Sequence, residues 1–225
     1  RTCARRSASC RAAGSASPGS LPVTPVVDAD GRWASVRLEL PGRAVILRAW
    51  QARVGKVVLY LLDSNHPLND PWDRGITANL YAPGKNKRLL QELVLGVGGW
   101  RLLESLGIPV DVCHLNEGHA AFAALARAAS FMRRHRLSFG EALWATRAGN
   151  VFTTHTPVSA GFDLFPGALV ERYLRAPVLG EGPGPAEVLA LGRGDAGREE
   201  EPINSAYLAL RCSSRANGVS RLHGE

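Results

Sequence analysis

The chain has 225 residues, 45% of them apolar and 21% charged, enough for one substantial core and too apolar for wholesale disorder. Its formal charge of +7 is spread out, with local excess at Arg1, Arg5, Arg6 and Arg11 and at Arg133, Arg134 and Arg136. A nucleic-acid surface would interleave such charges with aromatics on one face, and none is legible, so the arginines read as solvated surface and tail. No apolar run reaches the length of a membrane span.

Residues 1–20 contain only Arg, Ser, Ala, Cys, Gly, Thr and Pro, without an initiator Met or an apolar h-region. They read as an anomalous or disordered flank, and 21–225 as the folded part. From Leu21, Asp28-Ala-Asp-Gly31 signals a turn before the alternating run Ala34–Leu40. Pro41-Gly42 turns the chain again, and Ala44–Trp50 repeats the alternation. Lys56–Leu62 is nearly continuously apolar, which suits a central strand buried on both faces. Asp63–Pro83 is a long polar loop, of a length usually functional or disordered.

Lys87–Leu106 has helical spacing, and Gly107 caps it. Inside it, Gly96-Val-Gly-Gly99 is costly, because each mid-helix glycine loses about 1 kcal/mol relative to Ala. Close packing against a neighbouring backbone is the expected compensation. No strand leads directly into these glycines, so they are not a phosphate loop. Val110–Leu115 is the next strand, Asn116 an N-cap and Glu117–Arg134 a helix. Ser138 and Glu141 form a capping box for a helix to about Ala148, and Val151–Thr154 is a strand. Short helices follow at Pro166–Leu174 and Ala186–Leu191, then a charged loop to Glu201 and a long helix over Asn204–Ser220. Helices interleaved with buried strands indicate an α/β fold. The four cysteines, at 3, 10, 113 and 212, have neither metal spacing nor the density of a disulfide framework, which suits a reducing, cytoplasmic setting.

His114-Leu-Asn-Glu-Gly-His119 and Val151-Phe-Thr-Thr-His155-Thr-Pro157 share one layout, a short apolar strand that ends in polar residues. In an open α/β sheet the carboxyl ends of strands border the ligand crevice. Glu117 falls in a first helical turn, where the dipole favours a carboxylate by roughly 0.3–1 kcal/mol. Its bland role is therefore helix stabilisation, and its functional one an acid beside a pocket. Gly118 opens space, and His119 adds a second polar group. His114 and His119 suit neither one helix face nor usual zinc spacing. His155 lies between Thr154 and Thr156, which Pro157 holds extended. It is either a satisfied structural histidine or a ligand contact. Asp63, Asn65, Asn69, Asp70, Asp73 and Arg74 form either a solvated Asx-turn loop or a polar gate suited to carbohydrate hydroxyls.

Val57–Asp63, Ile76-Thr-Ala-Asn-Leu-Tyr81, Gln91-Glu92 with the Gly96–Gly99 helix, the two strand-end motifs and Asn217–Glu225 together resemble the α-glucan (glycogen/maltodextrin/starch) phosphorylases, in particular the shorter bacterial type, over roughly Leu21–Glu225. The resemblance implies a GT-B glycosyltransferase architecture, of which this chain carries an incomplete N-terminal Rossmann-like domain. It implies reversible phosphorolysis of α-1,4-glucan to glucose 1-phosphate, with inorganic phosphate as co-substrate and pyridoxal phosphate as cofactor. By position, His155 matches the family histidine at the transferred glucosyl unit. Glu117, His119 and Asn116 fall beside the sugar pocket, and Asp63 and Asn65 correspond loosely to the active-site loop. The family's Schiff-base lysine lies beyond Glu225, and its glycine-rich phosphate segment before Leu21. The chain is thus expected to be an internal fragment, inactive alone, of an enzyme for which a homo-oligomer is open. A nucleotide-sugar-dependent GT-B glucan synthase and a non-catalytic sugar-binding remnant are the alternatives.

Overall fold

Alternation in the first part of the sequence builds an antiparallel sheet with one buried face. The computed structural model describes residues 21–156, 158 and 162–221. The flank 1–20 with Cys3 and Cys10, Pro157, and the closing stretch Leu222–Glu225 lie outside the described residues. In the first sheet, β1 (Thr24–Pro25) and β2 (Ser35–Leu40) flank the long β3 (Arg43–Val54), which also carries β4 (Val57–Asp63). Leu38 pairs with Val45 and Val36 with Leu47, so the buried residues of both strands share a face. Gly42 makes the hairpin turn at φ 73°, a conformation that costs glycine little.

β4 corrects the sequence expectation of a central strand buried on both faces. It lies at the edge of its sheet, and Val57, Leu59 and Leu61 are 58%, 44% and 45% exposed. Only the alternate positions Tyr60 and Leu62 pack against the core. An apolar run cannot distinguish a strand with two covered faces from one whose second face is open.

α1 (Lys85–Leu93) continues through a π-helical turn, Val94–Gly98, into α2 (Gly99–Ser105). The expected single helix is therefore interrupted at its glycines, and these glycines bring three layers together. A Cβ on Gly96 would lie 2.6 Å from the backbone nitrogen of Ala123 and 2.7 Å from Phe122 Cβ. One on Gly98 would meet Leu47 Cδ1 at 2.7 Å. The π-turn is thus packed between α3 (Ala121–His135) and the antiparallel sheet, as the expected close backbone approach requires.

The second sheet is parallel. β5 (Cys113–Asn116) pairs with β6 (Asn150–Thr154), and β6 with β9 (Arg215–Gly218). The crossover between β5 and β6 contains α3 and α4 (Phe139–Arg147), the latter opened by the Ser138–Glu141 capping box. Buried Leu115 and Phe152 lie side by side in register. The remainder is α5 (Gly167–Leu174), α6 (Pro185–Gly192) and a two-stranded sheet of β7 (Leu164–Phe165) and β8 (Ile203–Asn204).

The long helix expected over Asn204–Ser220 is not formed. Asn204 caps α7 (Ser205–Arg211), accepting from Ala206 N, and the chain then enters β9. Asn150 Nδ2 donates to the carbonyl of Cys212 at 2.8 Å, and Ser214 Oγ donates to that of Ala148. Side chains thus hold the backbone where helical spacing alone would let it continue. Among the described residues, no helix is long and apolar enough to cross a membrane.

Candidate functional site

The carboxyl ends of the three parallel strands carry a chain of polar contacts. His114 Nε2 lies 2.7 Å from Thr153 Oγ1, which donates to Asn217 Oδ1 at 2.8 Å. The hydroxyl has one proton and gives it to Asn217, so His114 donates from Nε2. This contact joins β5 to β6 to β9.

Beyond these strands the chain makes a strained turn. Glu117 has φ 64° and ψ 177°, outside the helix, and a 3-10 turn, Gly118–Ala120, separates it from α3. The expected first-turn position and its dipole stabilisation therefore do not apply. The Glu117 carboxylate is buried and accepts from the backbone nitrogen of His155 and from Thr154 Oγ1. Non-glycine residues at such φ and ψ cost of order 1–3 kcal/mol and concentrate at functional sites. Here the strain points a carboxylate of the β5 turn at the end of β6. His155 itself is exposed.

Gly118 supplies the space expected of it, though for the backbone of α7. A Cβ there would lie 2.7 Å from Ala206 N and 2.9 Å from the carbonyl carbon of Ser205. This approach brings Ser205 Oγ to Glu92 Oε2, to which it donates at 2.6 Å. Glu92, on α1, is fully buried.

His119 extends from the same turn into a cluster that no sequence pattern marked as a unit. Its Nδ1 is 2.7 Å from Arg88 Nη2, 3.1 Å from Asp163 Oδ2 and 3.8 Å from Glu92 Oε1. Arg88 Nη2 also donates to Asp163 Oδ2 at 2.8 Å. Contact with Asp163, then the Glu92 carboxylate 3.8 Å away, pushes the His119 imidazole up to about 9. Burial pushes Glu92 up to about 7. Burial acts the same way on Asp163, but hydrogen bonds from His119 and Arg88 outweigh it and hold that carboxyl well below the usual range. The Glu92, His119 and Asp163 ligand atoms lie within 4.8 Å of one another. The Arg88 guanidinium sits among them, so the cluster already holds its own cation.

His119, Arg88 and Asp163 line an open pocket of about 450 Å³, together with Tyr81, Lys85 and Thr156. The Tyr81 ring lies 5.8 Å from that of His119 and 5.1 Å from the Arg88 guanidinium. Tyr81 is another non-glycine residue at positive φ, 52°. A second, more apolar cavity of about 730 Å³ lies behind, between β4 and the α1–α2 helices, with His119 and Cys113 also in its wall.

The remaining sequence-derived residues are placed differently. Asn116 ends β5 opposite Thr153. Asp63 lies at the end of β4, where it accepts from Trp50 Nε1 at 3.3 Å and pairs with Arg48 at 3.6 Å. Asn65 donates its backbone N–H to Asp63 Oδ1. Neither Asp63 nor Asn65 lines the pocket of His119. The polar loop that follows is tied down rather than open. Buried Asn69 exchanges hydrogen bonds with the backbone of Ile46, and Arg43 Nη2 donates to buried Asp73 at 2.9 Å.

Sequence reasoning missed Arg88, Asp163 and the role of Glu92. One signal existed: Glu92 falls on the apolar stripe of its helix with Leu89 and Leu93, and a carboxylate on a buried face needs a partner. Arg88 stands one turn before it.

No family model matches the chain. Its sequence is 45% identical over 208 residues to a maltodextrin phosphorylase of Thermococcus litoralis, covering 92% of this chain and 24% of that protein. A glycogen phosphorylase of Mycobacterium tuberculosis is 40% identical over 220 residues, 92% of this chain and 25% of its own length. One from Aquifex aeolicus is 35% identical over 208 residues, 91% of this chain and 29% of its own. The chain is a relative of the maltodextrin and glycogen phosphorylases. It spans about a quarter of the length of these phosphorylases. The similarity runs through both strand-end motifs, since at most a tenth of the chain lies outside each match.

Proposed function

We propose that this chain forms one wall of the sugar site of an α-glucan phosphorylase, which transfers a glucosyl unit between an α-1,4-glucan and inorganic phosphate. In this reading residues 21–225 are part of an N-terminal Rossmann-like domain within a GT-B architecture. The observation that carries it is the bond from Glu117 to the His155 backbone at the ends of adjacent parallel strands, close in sequence to His119 and Thr156 of the pocket wall, in a chain related to phosphorylases along nearly its whole length. The cytoplasm, with its glucan stores, is the setting we infer.

The residues divide the work. Glu117 holds the main chain at His155, which leaves that histidine's ring free for the glucosyl unit. Positioned donors stabilise the charge that develops as a glycosidic bond breaks, and a missing donor of that kind costs about 10²–10³ in rate. His119, with Asn116 at the neighbouring strand end, offers hydrogen bonds to sugar hydroxyls. Asp63 and Asn65 stand further out as glucan contacts. Pyridoxal phosphate would supply acid–base chemistry through its phosphate group in the complete enzyme. In this reading the lysine that anchors it belongs to the rest of the enzyme and is none of the three in this chain, of which Lys85 alone lines the pocket.

The test is phosphate-dependent release of glucose 1-phosphate from maltoheptaose with added pyridoxal phosphate. It compares this chain with a full-length phosphorylase into which the segment is built. Activity in the long form alone, reduced at least about 10²-fold by His155→Ala without loss of folding, is the expected result. Unimpaired turnover in His155→Ala would overturn the residue assignment. Absence of turnover with retained glucan binding would leave a sugar-binding module instead.

A further inference from the structure

We propose that Glu92 is a positioning residue for His119: with Asp163 it holds the ring as an imidazolium in the pocket wall, so that His119 meets a ligand as a charged hydrogen-bond donor. This rests on the sugar-site reading above, which it deepens by assigning the state in which one wall residue works.

The argument begins with an orphaned atom. Glu92 is fully buried, Ser205 Oγ satisfies its Oε2, and among the described residues its Oε1 has no hydrogen-bond partner. That oxygen faces His119 Nδ1 at 3.8 Å and Arg88 Nη2 at 3.6 Å. A buried carboxylate held by one hydroxyl is costly unless opposite charge lies close.

Nδ1 has two neighbours with opposite demands. Arg88 Nη2, at 2.7 Å, can only donate and would need a bare nitrogen. Asp163 Oδ2, at 3.1 Å, can only accept and needs Nδ1–H. Charge decides between them. Arg88 against the ionised Glu92 and Asp163 leaves a deficit of one positive charge, and a proton on His119 cancels it. Arg88 already has acceptors for its Nε and Nη2 in both oxygens of Asp163, so it gives up little. Tyr81, Lys85 and Thr156 complete the surroundings, and of these Lys85 alone opposes the imidazolium. The same neutrality could be reached with the proton on Glu92 and a neutral His119, and the two arrangements make different predictions.

The anchor of Glu92 is built for orientation. Gly118 admits the start of α7, whose Ser205 fixes one carboxylate oxygen and leaves the other turned to the ring. Two segments far apart in sequence thus converge on a carboxylate that does not line the pocket.

The experiment is a pH titration of the His119 ring nitrogens by ¹H–¹⁵N NMR on the chain itself, assigned with His119→Gln. A charged ring up to alkaline pH is expected, and Glu92→Gln, which keeps shape and can still bond Ser205, should lower the midpoint by about one pH unit or more. Ser205→Ala should lower it in the same sense, and serves if the glutamine variant does not fold. An unmoved midpoint in the folded variants places the proton on Glu92 and overturns the proposal. Adding maltoheptaose to the same sample separates the two readings. Unperturbed His119 signals with a lowered midpoint in Glu92→Gln would remove the glucan site and keep the positioning role.

Discussion

Glu117 accepts, through one carboxylate oxygen, the backbone N–H of His155, so the turn after one parallel strand fixes the end of the next. That bond is made from a left-handed backbone, which separates two effects by mutation. Glu117→Ala removes the acceptor, leaves a partly buried N–H unpaired and keeps the strain; it should cost roughly 1–3 kcal/mol. Glu117→Gly loses the same acceptor but adopts φ 64° freely, and should be more stable than the alanine variant by about 1 kcal/mol. Urea unfolding of the three proteins checks the order. An alanine variant as stable as the glycine one would mean that the turn relaxes.

The glycines in and just after the π-turn should respond unequally. Gly96→Ala drives a methyl group into backbone atoms of α3, and a loss of about 2 kcal/mol or more is expected. Gly99→Ala places the same group in open space within a helix and should gain up to about 1 kcal/mol. Thermal unfolding of both variants distinguishes close packing from mere glycine tolerance.

What could be read in the sequence followed residue by residue from how local each cause is. The β2–β3 hairpin and the Ser138–Glu141 box were legible because turn residues and periodicity lie within a few positions of the structure they dictate. The apolar run of β4 was legible as a strand, yet its open face was not, because burial on the second face depends on what else packs there. At the site, both strand ends stood out, whereas the Arg88–Asp163 pair joins residues brought together only by tertiary structure. The end of α7 escaped because Asn150, on another strand, bonds the carbonyl at Cys212.

The acid–base cluster should make stability depend on pH in a definite direction. Glu92 is raised from its ordinary 4.5 to about 7, and His119 from 6.5 to about 9, so the folded chain binds more protons than the unfolded chain across this range. Stability from these groups is therefore full below the ordinary values and declines as pH rises from roughly 5 to 9. Asp163, held low, acts oppositely: its contribution is present above its ordinary 3.8 and is lost as pH falls below it. Melting temperatures over this range should slope downward, and Glu92→Gln should flatten the slope. A level profile would show that the cluster rearranges when it titrates.

The outer face of β4 predicts how the chain behaves at high concentration. Val57, Leu59 and Leu61, with exposed Leu95 and Leu80 near the cavity behind the site, form apolar surface beside a strand with a free edge. Reversible self-association is expected in sedimentation velocity. Leu59→Lys should weaken it while changing stability by less than about 0.5 kcal/mol, as is usual for exposed positions.

The parallel pairing of Leu115 with Phe152 has a kinetic consequence. The two residues become neighbours only when the whole α3–α4 hairpin has folded back, and such non-local pairing is slow because loop closure precedes its reward. The bond from Glu117 to His155 lies just past the end of the same ladder, which closes with Asn116 opposite Thr153. The antiparallel hairpins can therefore assemble first, and the strand ends that bear the histidines are among the last surfaces of the chain to take shape.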